Sequence, residues 1–376
     1  MAGSTIGTIF KITTWGESHG KALGVVVDGC PAGLFLKEED IQKCLDRRKP
    51  GQSDITTKRK EEDLVEILSG VFEGKTTGTP ISLMVRNTSQ ISKDYSEIKS
   101  YYRPGHADYT FDEKYGFRDY RGGGRSSGRE TIGRVAAGAI AKKALEQLGI
   151  FVCAYTRAIG PVEINMENCD KSLIYTTQTA MPDKEADLRA RNYLQEIMEQ
   201  GDSAGGVMEC VVEGMPVGIG DPVFEKLDAN LAKSIMSMGG VKAVEIGDGC
   251  LVSKSIGSEN NDFFYSHSES NIYHKTNHCG GILGGISDGS NLLIRAHVKP
   301  TPSIFKQQKT VNQSKEEITV EIKGRHDPII VPRAVVVMES MIAITIFDAM
   351  MVNMSATLKG MEDFYKNKIH GKRDAE

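Results

Sequence analysis

The chain has 376 residues, of which 39% are hydrophobic and 26% are charged. These fractions are typical of a soluble globular protein. The formal net charge is −4, so the chain as a whole lacks the basic field expected of a protein that binds nucleic acid or an anionic membrane. A binding site for an anion must therefore come from local clusters of basic residues.

Cysteine usage and hydropathy indicate the compartment. The seven cysteines are scattered, without a C-x-x-C pair, and an odd, scattered set is typical of a reducing compartment. The N-terminal residues do not combine a charged region with an apolar stretch, so we expect no signal peptide. Glu339, Ser340 and Asp348 interrupt the longest apolar run, whereas a membrane span needs about 20 mostly apolar residues. We expect a cytoplasmic protein that does not enter a membrane.

Short apolar segments bounded by Gly, Pro and Asp predict strands, and longer segments with helical periodicity predict helices. In chain order we expect a strand at 23–27, a helix at 37–47, strands at 65–68 and 81–85, helices at 132–148 and 183–200, a strand at 207–212, a helix at 227–236, strands at 292–296 and 318–322, and a helix at 333–351. The strands come in groups rather than in βαβ alternation, which predicts an α+β fold. We expect one domain over residues 1–376, with a flexible tail from about residue 355.

The segment R-G-G-G-R-S-S-G-R-E-T-I-G-R, residues 121–134, is the most informative. Between Arg118 and Arg134 there are five arginines and two acids. Ser127 and Glu130 have capping-box spacing before a run with helical period. Free N–H groups at a helix N-terminus and bidentate arginines favour a phosphate. The alternative is a solvated basic loop in front of a well-capped helix.

Two further basic loops lie at residues 47–51 and 103–108, and His19 and His106 lie in glycine-flanked loops beside acidic residues. Alone, each loop is typical of a surface turn. Together with residues 121–134 they fit a substrate with several negative charges, because a single cation cannot compensate the burial of two carboxylates and a phosphate. A histidine in such a pocket can act as a general acid.

Some patterns are excluded. The segment from Gly70 to Thr76 has three residues between its glycines, whereas a phosphate-binding P-loop has four. Gly78 and Pro80 disfavour the helix that a P-loop requires, so we predict a strand–turn–strand hairpin there. No G-x-G-x-x-G motif follows a strand, and no His or Cys spacing indicates a metal site.

The C-terminal third carries a glycine-rich loop at residues 279–287, followed by K-P-T-P-S at 299–303 and R-H-D-P at 325–328. Backbone amides, hydroxyls and a cation of this kind suit a flavin phosphate and ribityl chain, although spacing alone does not identify a flavin. Glu339 and Asp348 are nine residues apart in one helical run. They should point to opposite faces, one solvated and the other buried or in a pocket, and spacing does not decide which.

In this order, the motifs resemble those of the chorismate synthase family, from Thr5 to about Met351. The matching stretches are G-E-S-H-G at 16–20, D-R-R-K-P-G at 46–51, R-P-G-H-A-D at 103–108, R-G-G-G-R-S-S-G-R-E-T at 121–131, G-G-I-L-G-G-I-S at 280–287, K-P-T-P-S at 299–303, R-H-D-P at 325–328 and P-R-A at 332–334. The resemblance implies a layered β–α–β sandwich and a homotetramer. It also implies a lyase that uses reduced FMN to eliminate phosphate from 5-enolpyruvylshikimate 3-phosphate in the shikimate pathway to aromatic amino acids.

The resemblance also assigns residues. Matches to catalytic positions are His19 for the leaving phosphate, His106 for the reduced flavin, and Asp348 near flavin N5, which favours Asp348 as the pocket carboxylate. Matches to flavin-binding positions are Arg125, Ser126, Ser127, Gly284, Lys299, Thr301, Ser303 and Arg325. Matches to positions around the substrate are Ser18, Arg48, Arg129 and Arg134.

Two positions depart from the family pattern. Gly128 replaces a usual alanine, and Asp54 replaces an arginine found in many members, where Lys58 or Arg59 would have to substitute for it. Two alternatives remain open: a flavin reductase using NAD(P)H, and an RNA-binding module suggested by the arginine–glycine segment. The first lacks a nicotinamide fingerprint, and the second lacks interleaved aromatics and a basic net charge.

Overall fold

A computed structural model of the chain describes residues 3–51, 62–87, 97–268, 271–322 and 327–370. The strands are β1 Thr5–Ile6, β2 Lys11–Gly16, β3 Ala22–Asp28, β4 Val65–Ile67, β5 Val71–Phe72, β6 Lys75–Thr76, β7 Ile81–Arg86, β8 Phe151–Ile159, β9 Val162–Glu163, β10 Gly206–Glu213, β11 Val241–Ile246, β12 Phe264–Ser268, β13 Asn271–His274, β14 Ile282–Leu283, β15 Ile286–Ser287, β16 Leu292–Val298, β17 Gln307–Val311 and β18 Glu317–Glu321. The helices are α1 Glu38–Arg48, α2 Asp108–Tyr115, α3 Thr131–Gln147, α4 Lys184–Glu199, α5 Leu227–Met236, α6 Gly257–Asn260, α7 Val331–Asn353 and α8 Leu358–His370.

Two five-stranded sheets form the outer layers. The first has the order β1-β2-β3-β7-β4 and the second β11-β16-β10-β8-β9. Neighbouring strands are antiparallel throughout both sheets. In β16 buried and less buried residues alternate, as expected for a strand with one face on a core.

Helices α3 and α7 lie between the sheets. α3 contacts β2, β3 and β7, whereas α7 contacts β8 and β10, and the two helices pack against each other. Their crossing depends on Gly138, because a Cβ there would lie 2.2 Å from Cβ of Ser340. The buried residues of both sheets and of these helices form one continuous hydrophobic cluster. The predicted α+β class is therefore confirmed, as helices between two antiparallel sheets.

Each predicted strand and helix occurs within two residues of its expected ends. The hairpin predicted in place of a P-loop is also confirmed: β5 pairs with β6 through a turn in which Glu73 and Gly74 have positive φ. Within the tail that was expected to be flexible, the structure has helix α8, Leu358–His370, and the flexibility of this tail stays a prediction. The elements that the sequence analysis missed include β2, β8, β11, β17 and α2.

Helix α7 is long and apolar enough to cross a membrane. It is a core helix here, since 67% of its most apolar 18-residue stretch is buried inside the protein. Glu339 within it is 2% exposed and its carboxylate pairs with Arg47 and Lys142. The carboxylate of Asp348 accepts backbone N–H bonds from residues 8–10. Glu339 is therefore the buried member of the pair, whereas Asp348 is half-buried and two of its carboxylate hydrogen bonds lie at exposed positions.

Candidate active site

The C-terminus of α1 and the segment before α3 meet at a buried carboxylate. Arg48 donates from Nη2 to Oδ2 of Asp63 at 2.7 Å, and Arg129 donates from Nη1 to Oδ1 at 3.0 Å. The Asp63 side chain is 0% exposed, and those of Arg48 and Arg129 are 3% and 7% exposed. Two guanidinium groups from distant parts of the chain thus share one carboxylate, which leaves the group with a net positive charge.

Burial sets the electrostatics of this group. It lowers the pKa of Arg48 to about 10, although the charge and hydrogen bond of Asp63 act in the opposite direction. The positive charge of Arg333 lowers the pKa further, and its Nε donates to the backbone oxygen of Arg48 at 3.0 Å. An added anion would stabilise the charged form of cations that are buried in this way.

The connection between β2 and β3 carries Ser18 and His19. The Oγ atom of Ser18 is buried and has no hydrogen-bond partner among the residues that the structure describes. Gly122 lies directly against the imidazole, since a Cβ there would lie 2.4 Å from Cδ2 of His19. Asn87 joins this loop to Arg129: its Oδ1 accepts from Nε of Arg129 at 2.5 Å. Its Nδ2 donates to the backbone oxygens of residues 17 and 20 at 3.0 and 2.8 Å.

A second cluster forms where the loop before α2 meets the segment after β16. Nδ1 of His106 lies 2.9 Å from the carbonyl oxygen of Pro104 and Nε2 lies 2.9 Å from Oγ of Ser303. Because a carbonyl only accepts, the proton of the neutral ring is on Nδ1, and Nε2 accepts from Ser303. Lys299 donates from Nζ to the backbone oxygen of Gly105 at 3.0 Å.

An ion-pair network fixes the His106 loop. Arg103 donates to both carboxylate oxygens of Asp108, at 2.8 and 2.7 Å, and Nη1 of Arg118 lies 3.3 Å from Oδ2. Burial alone would raise the pKa of Asp108, but the hydrogen bonds and charge of Arg103, with the charge of Arg118, hold that pKa below its usual range. The loop therefore carries an ionised, fully bonded anchor beside His106.

Residues 118–122 connect the two clusters. Arg118 contacts Asp108 in the second cluster, and Gly122 contacts His19 in the first. Four peptide units span at most about 14 Å. The His19 and His106 clusters therefore flank one short segment of chain.

The loop at 121–130 differs from its prediction. Ser127 accepts from N–H of Arg129 at 3.3 Å, but it caps a short 3₁₀ turn, and α3 begins only at Thr131. The carboxylate of Glu130 binds Oγ1 of Thr14 and Nε of Arg134. The predicted capping box was therefore wrong, because the glutamate points away from Ser127.

The remaining predicted residues occupy several environments. Arg125 donates to the carbonyl oxygens of Gly16 and Thr14, both at 3.0 Å, and Ser126 donates to the carbonyl oxygen of Gly123 at 2.7 Å. Arg134 also donates to Oγ of Ser237. These groups hold the loop to the first sheet and to the end of α5. In the part of the chain that the structure describes, none of these hydrogen bonds goes to the Lys299 segment.

Among the described residues, Gly284 and Asp348 form no hydrogen bond with either cluster. Gly284 has φ +63° in the turn between β14 and β15, with open space where a side chain would be. Asp348 binds the backbone N–H groups of residues 8–10, so its contacts are those of an anchor, and its catalytic role stays a prediction. Arg325 and Asp54 lie outside the described residues. An alanine in place of Gly128 would meet no atom within 4 Å.

Three residues that the sequence analysis did not select belong to the site: Asp63, Asn87 and Arg333. Asp63 is one of three consecutive acidic residues, E-E-D at 61–63, and nothing in the sequence distinguishes it from the other two. Asn87 follows a predicted strand and belongs to no motif. Arg333 belongs to the P-R-A stretch, which was noted without a role. Only the three-dimensional contacts distinguish these residues from surface polar residues.

The two clusters could bind two different kinds of anionic group. The Arg48–Asp63–Arg129 group offers charge for a phosphate or carboxylate, and His19 lies beside it to supply a proton. The second cluster combines the ammonium of Lys299 with the hydroxyl of Thr301, whose Oγ1 is buried without a partner in the described ranges. Unpartnered buried hydroxyls are uncommon, so this donor set fits a phosphorylated, polyhydroxylated cofactor.

Comparisons with known proteins agree on one family. Residues 10–351 match the model of the chorismate synthase family. A chorismate synthase of Agathobacter rectalis is 66% identical over 366 residues, covering 97% of this chain and 100% of that protein. One of Methanocella arvoryzae is 55% identical over 355 residues, covering 93% and 95%. A crystal structure of a chorismate synthase matches with a TM-score of 0.74 at 30% identity, covering 97% of this chain and 99% of that one. The chain belongs to the chorismate synthase family.

Proposed function

We propose that this protein binds reduced FMN and converts 5-enolpyruvylshikimate 3-phosphate into chorismate and phosphate by 1,4-elimination. The observation that carries the proposal is the pair of buried arginines on Asp63 beside the His19 loop. A substrate with one phosphate and two carboxylates needs such a set of fixed cations, because burying its charges without partners is prohibitively unfavourable. Membership of the family supports the same reaction.

Overall, the elimination breaks the C3–O bond to phosphate and a C–H bond at C6. The C6 hydrogen is lost as a proton, the phosphate leaves with the electron pair of the C3–O bond, and the electron pair of the C–H bond stays in the ring, which gains one double bond. The oxidation level of the substrate and product is unchanged. Arg48 and Arg129 neutralise the departing phosphate, and His19, beside them, donates a proton to it. Electrostatic stabilisation by groups that are already in place is the main contribution that the chain makes.

Lys299, Thr301 and Ser303 would hold the FMN, and Gly284, where a side chain would meet open space, is proposed as a further binding position. When bound, reduced FMN supplies electron density transiently and recovers it. His106 is held with Nε2 facing Ser303, where it can hold or release a proton near the cofactor. The ion pair of Arg103 and Asp108 fixes the loop that carries this histidine.

We further infer a homotetramer in the cytoplasm, within the shikimate pathway to aromatic amino acids. The β12–β13 hairpin supports an assembly of copies, because Phe264, Ile272 and Tyr273 are 64%, 72% and 43% exposed. Exposed apolar side chains that are grouped on one element support a protein interface there. Light scattering of the full chain measures the mass, and a monomer at micromolar concentration would contradict the tetramer.

The function is tested by incubating the chain anaerobically with the substrate and photoreduced FMN. We expect equal amounts of phosphate and chorismate, and none with oxidised FMN. Absence of phosphate release with reduced FMN would contradict the proposal. Oxidation of NAD(P)H without release of phosphate would favour the reductase alternative. Retention of RNA by the protein at physiological salt would favour the RNA-binding alternative.

A further inference from the structure

Asn87 lies immediately after β7, between the His19 loop and Arg129. Its backbone N–H donates to the backbone oxygen of Lys21 at 3.1 Å. Its side-chain Nδ2 donates to the backbone oxygens of Glu17 and Gly20, and Oδ1 accepts from Nε of Arg129. Asn87 thus makes four hydrogen bonds, three of them to one turn of the chain.

An amide suits this position better than other side chains of its size. It needs an acceptor facing a guanidinium and two donors facing carbonyl oxygens, and only the asparagine amide supplies both at this length. A carboxylate would keep the acceptor but would face Glu17 and Gly20 with oxygen atoms. A leucine would lose both functions.

Charge balance alone does not explain Asn87. Arg129 already has an ion-pair partner in Asp63 at 3.0 Å, and a neutral amide adds no charge. What Asn87 adds is a fixed geometric relation between Arg129 and the loop at 17–20. Those elements are far apart in sequence. Arg125 and Gly122 also contact this loop, at Gly16 and His19, but neither contact involves the side chain of Arg129.

We propose that Asn87 is a positioning residue that holds the Ser18–His19 loop at a fixed distance from Arg129. The proposal rests on the proposed function, in which Arg129 contacts the phosphate of the substrate and His19 protonates it. Asn87 itself touches neither substrate nor cofactor in this account. Its loss should therefore change turnover through the loop rather than through flavin binding.

Two substitutions separate the two halves of the amide. Asn87→Asp keeps the acceptor for Arg129 and loses the donors to the loop, so kcat should fall by about 10- to 100-fold while KM stays within about threefold. Asn87→Leu loses both, so kcat should fall similarly and KM should also rise. FMN affinity should be unchanged in both, because Lys299 and Ser303 belong to the other cluster.

The matched control is Arg86→Gln on the preceding residue, whose exposed guanidinium pairs with Glu66. This variant should keep the wild-type kcat, KM and unfolding midpoint. Hydrogen exchange gives a readout that does not need activity. Peptides covering 17–21 should exchange at least about 10-fold faster in Asn87→Asp, and peptides covering 103–108 should not change.

The outcomes are distinct. If Asn87→Asp has the wild-type kcat and the wild-type rate of hydrogen exchange, the proposal is overturned. It is also overturned if Asn87→Leu raises KM and leaves kcat unchanged, because the amide would then act only on Arg129. If Asn87→Leu does not fold, Asn87→Asp decides. If the wild-type chain itself releases no phosphate, the proposed function is wrong, and exchange at 17–21 still decides the positioning role.

Discussion

Replacing Asp63 by asparagine removes the one negative charge between Arg48 and Arg129 and changes little else in shape. The carboxylate is 0% exposed, and its two ion pairs have lengths of 2.7 and 3.0 Å. Asparagine keeps one oxygen as an acceptor, but its NH₂ group then faces the second guanidinium. Two buried cations are left without a counter-charge.

Removing one partner of a buried ion pair destabilises a protein by about 3–5 kcal/mol. Because asparagine keeps one hydrogen bond, we expect Asp63→Asn to lower the free energy of unfolding by about 3 kcal/mol, near the lower end of that range. Arg48 is already penalised by burial, as the lowering of its pKa to about 10 indicates. This penalty is why the loss should exceed that of an ordinary surface pair.

Urea unfolding at neutral pH measures the loss. The control is Glu66→Gln, which breaks an exposed pair with Arg86 at side-chain exposures of 44% and 67% and should cost at most about 1 kcal/mol. If Asp63→Asn loses no more than this control, Asp63 does not balance the buried arginines and the account of the first cluster is wrong.

Three further predictions concern the second cluster. His106→Ala should fold normally and lower kcat by about 10²–10⁴-fold, the range for a positioned acid–base group, and near wild-type turnover would remove His106 from the mechanism. Lys299→Ala should weaken FMN binding by about 1.5–3 kcal/mol, the range for a hydrogen bond to a charged group, as measured by fluorescence titration, and equal weakening of substrate binding would contradict its assignment to the cofactor. The lowered pKa of Asp108 contributes stability that is present above its unfolded value and is lost as pH falls below about 4. Asp108→Asn should therefore be less stable than wild type at pH 7, with a difference that shrinks toward pH 3 in urea unfolding, and a difference independent of pH would refute the linkage.

The sequence predicted the strands that consist of a short apolar segment and the helices that have a long segment with helical periodicity. Helix α5 occurs at its expected ends, and the hairpin β5–β6 follows from the glycines that exclude a P-loop. Strand β8 was missed because its residues Cys153, Thr156 and Arg157 interrupt the apolar alternation, although the strand lies inside the second sheet, between β10 and β9. Its pairing with β10 compensates for the weak local pattern.

For the site, the sequence indicated the loops but not how their side chains pair. The motifs located His19, His106 and Arg129, because glycine, arginine and histidine together are unusual. Asp63 and Asn87 carry no local signal, since their importance comes from partners 15 to 70 residues away in sequence. The capping box was wrong for a related reason, because tertiary contacts draw Glu130 to Thr14 and Arg134.

In the proposed function, the reaction requires reduced FMN. Because the substrate and product have the same oxidation level, the reaction should not consume the reduced FMN. The most direct test is an anaerobic cuvette with one equivalent of photoreduced FMN per chain and an excess of 5-enolpyruvylshikimate 3-phosphate. We expect many molecules of phosphate and chorismate per flavin, and a flavin spectrum that is still reduced when the substrate is exhausted. Product that rises only in proportion to reductant oxidised would contradict the claim and favour a reductase.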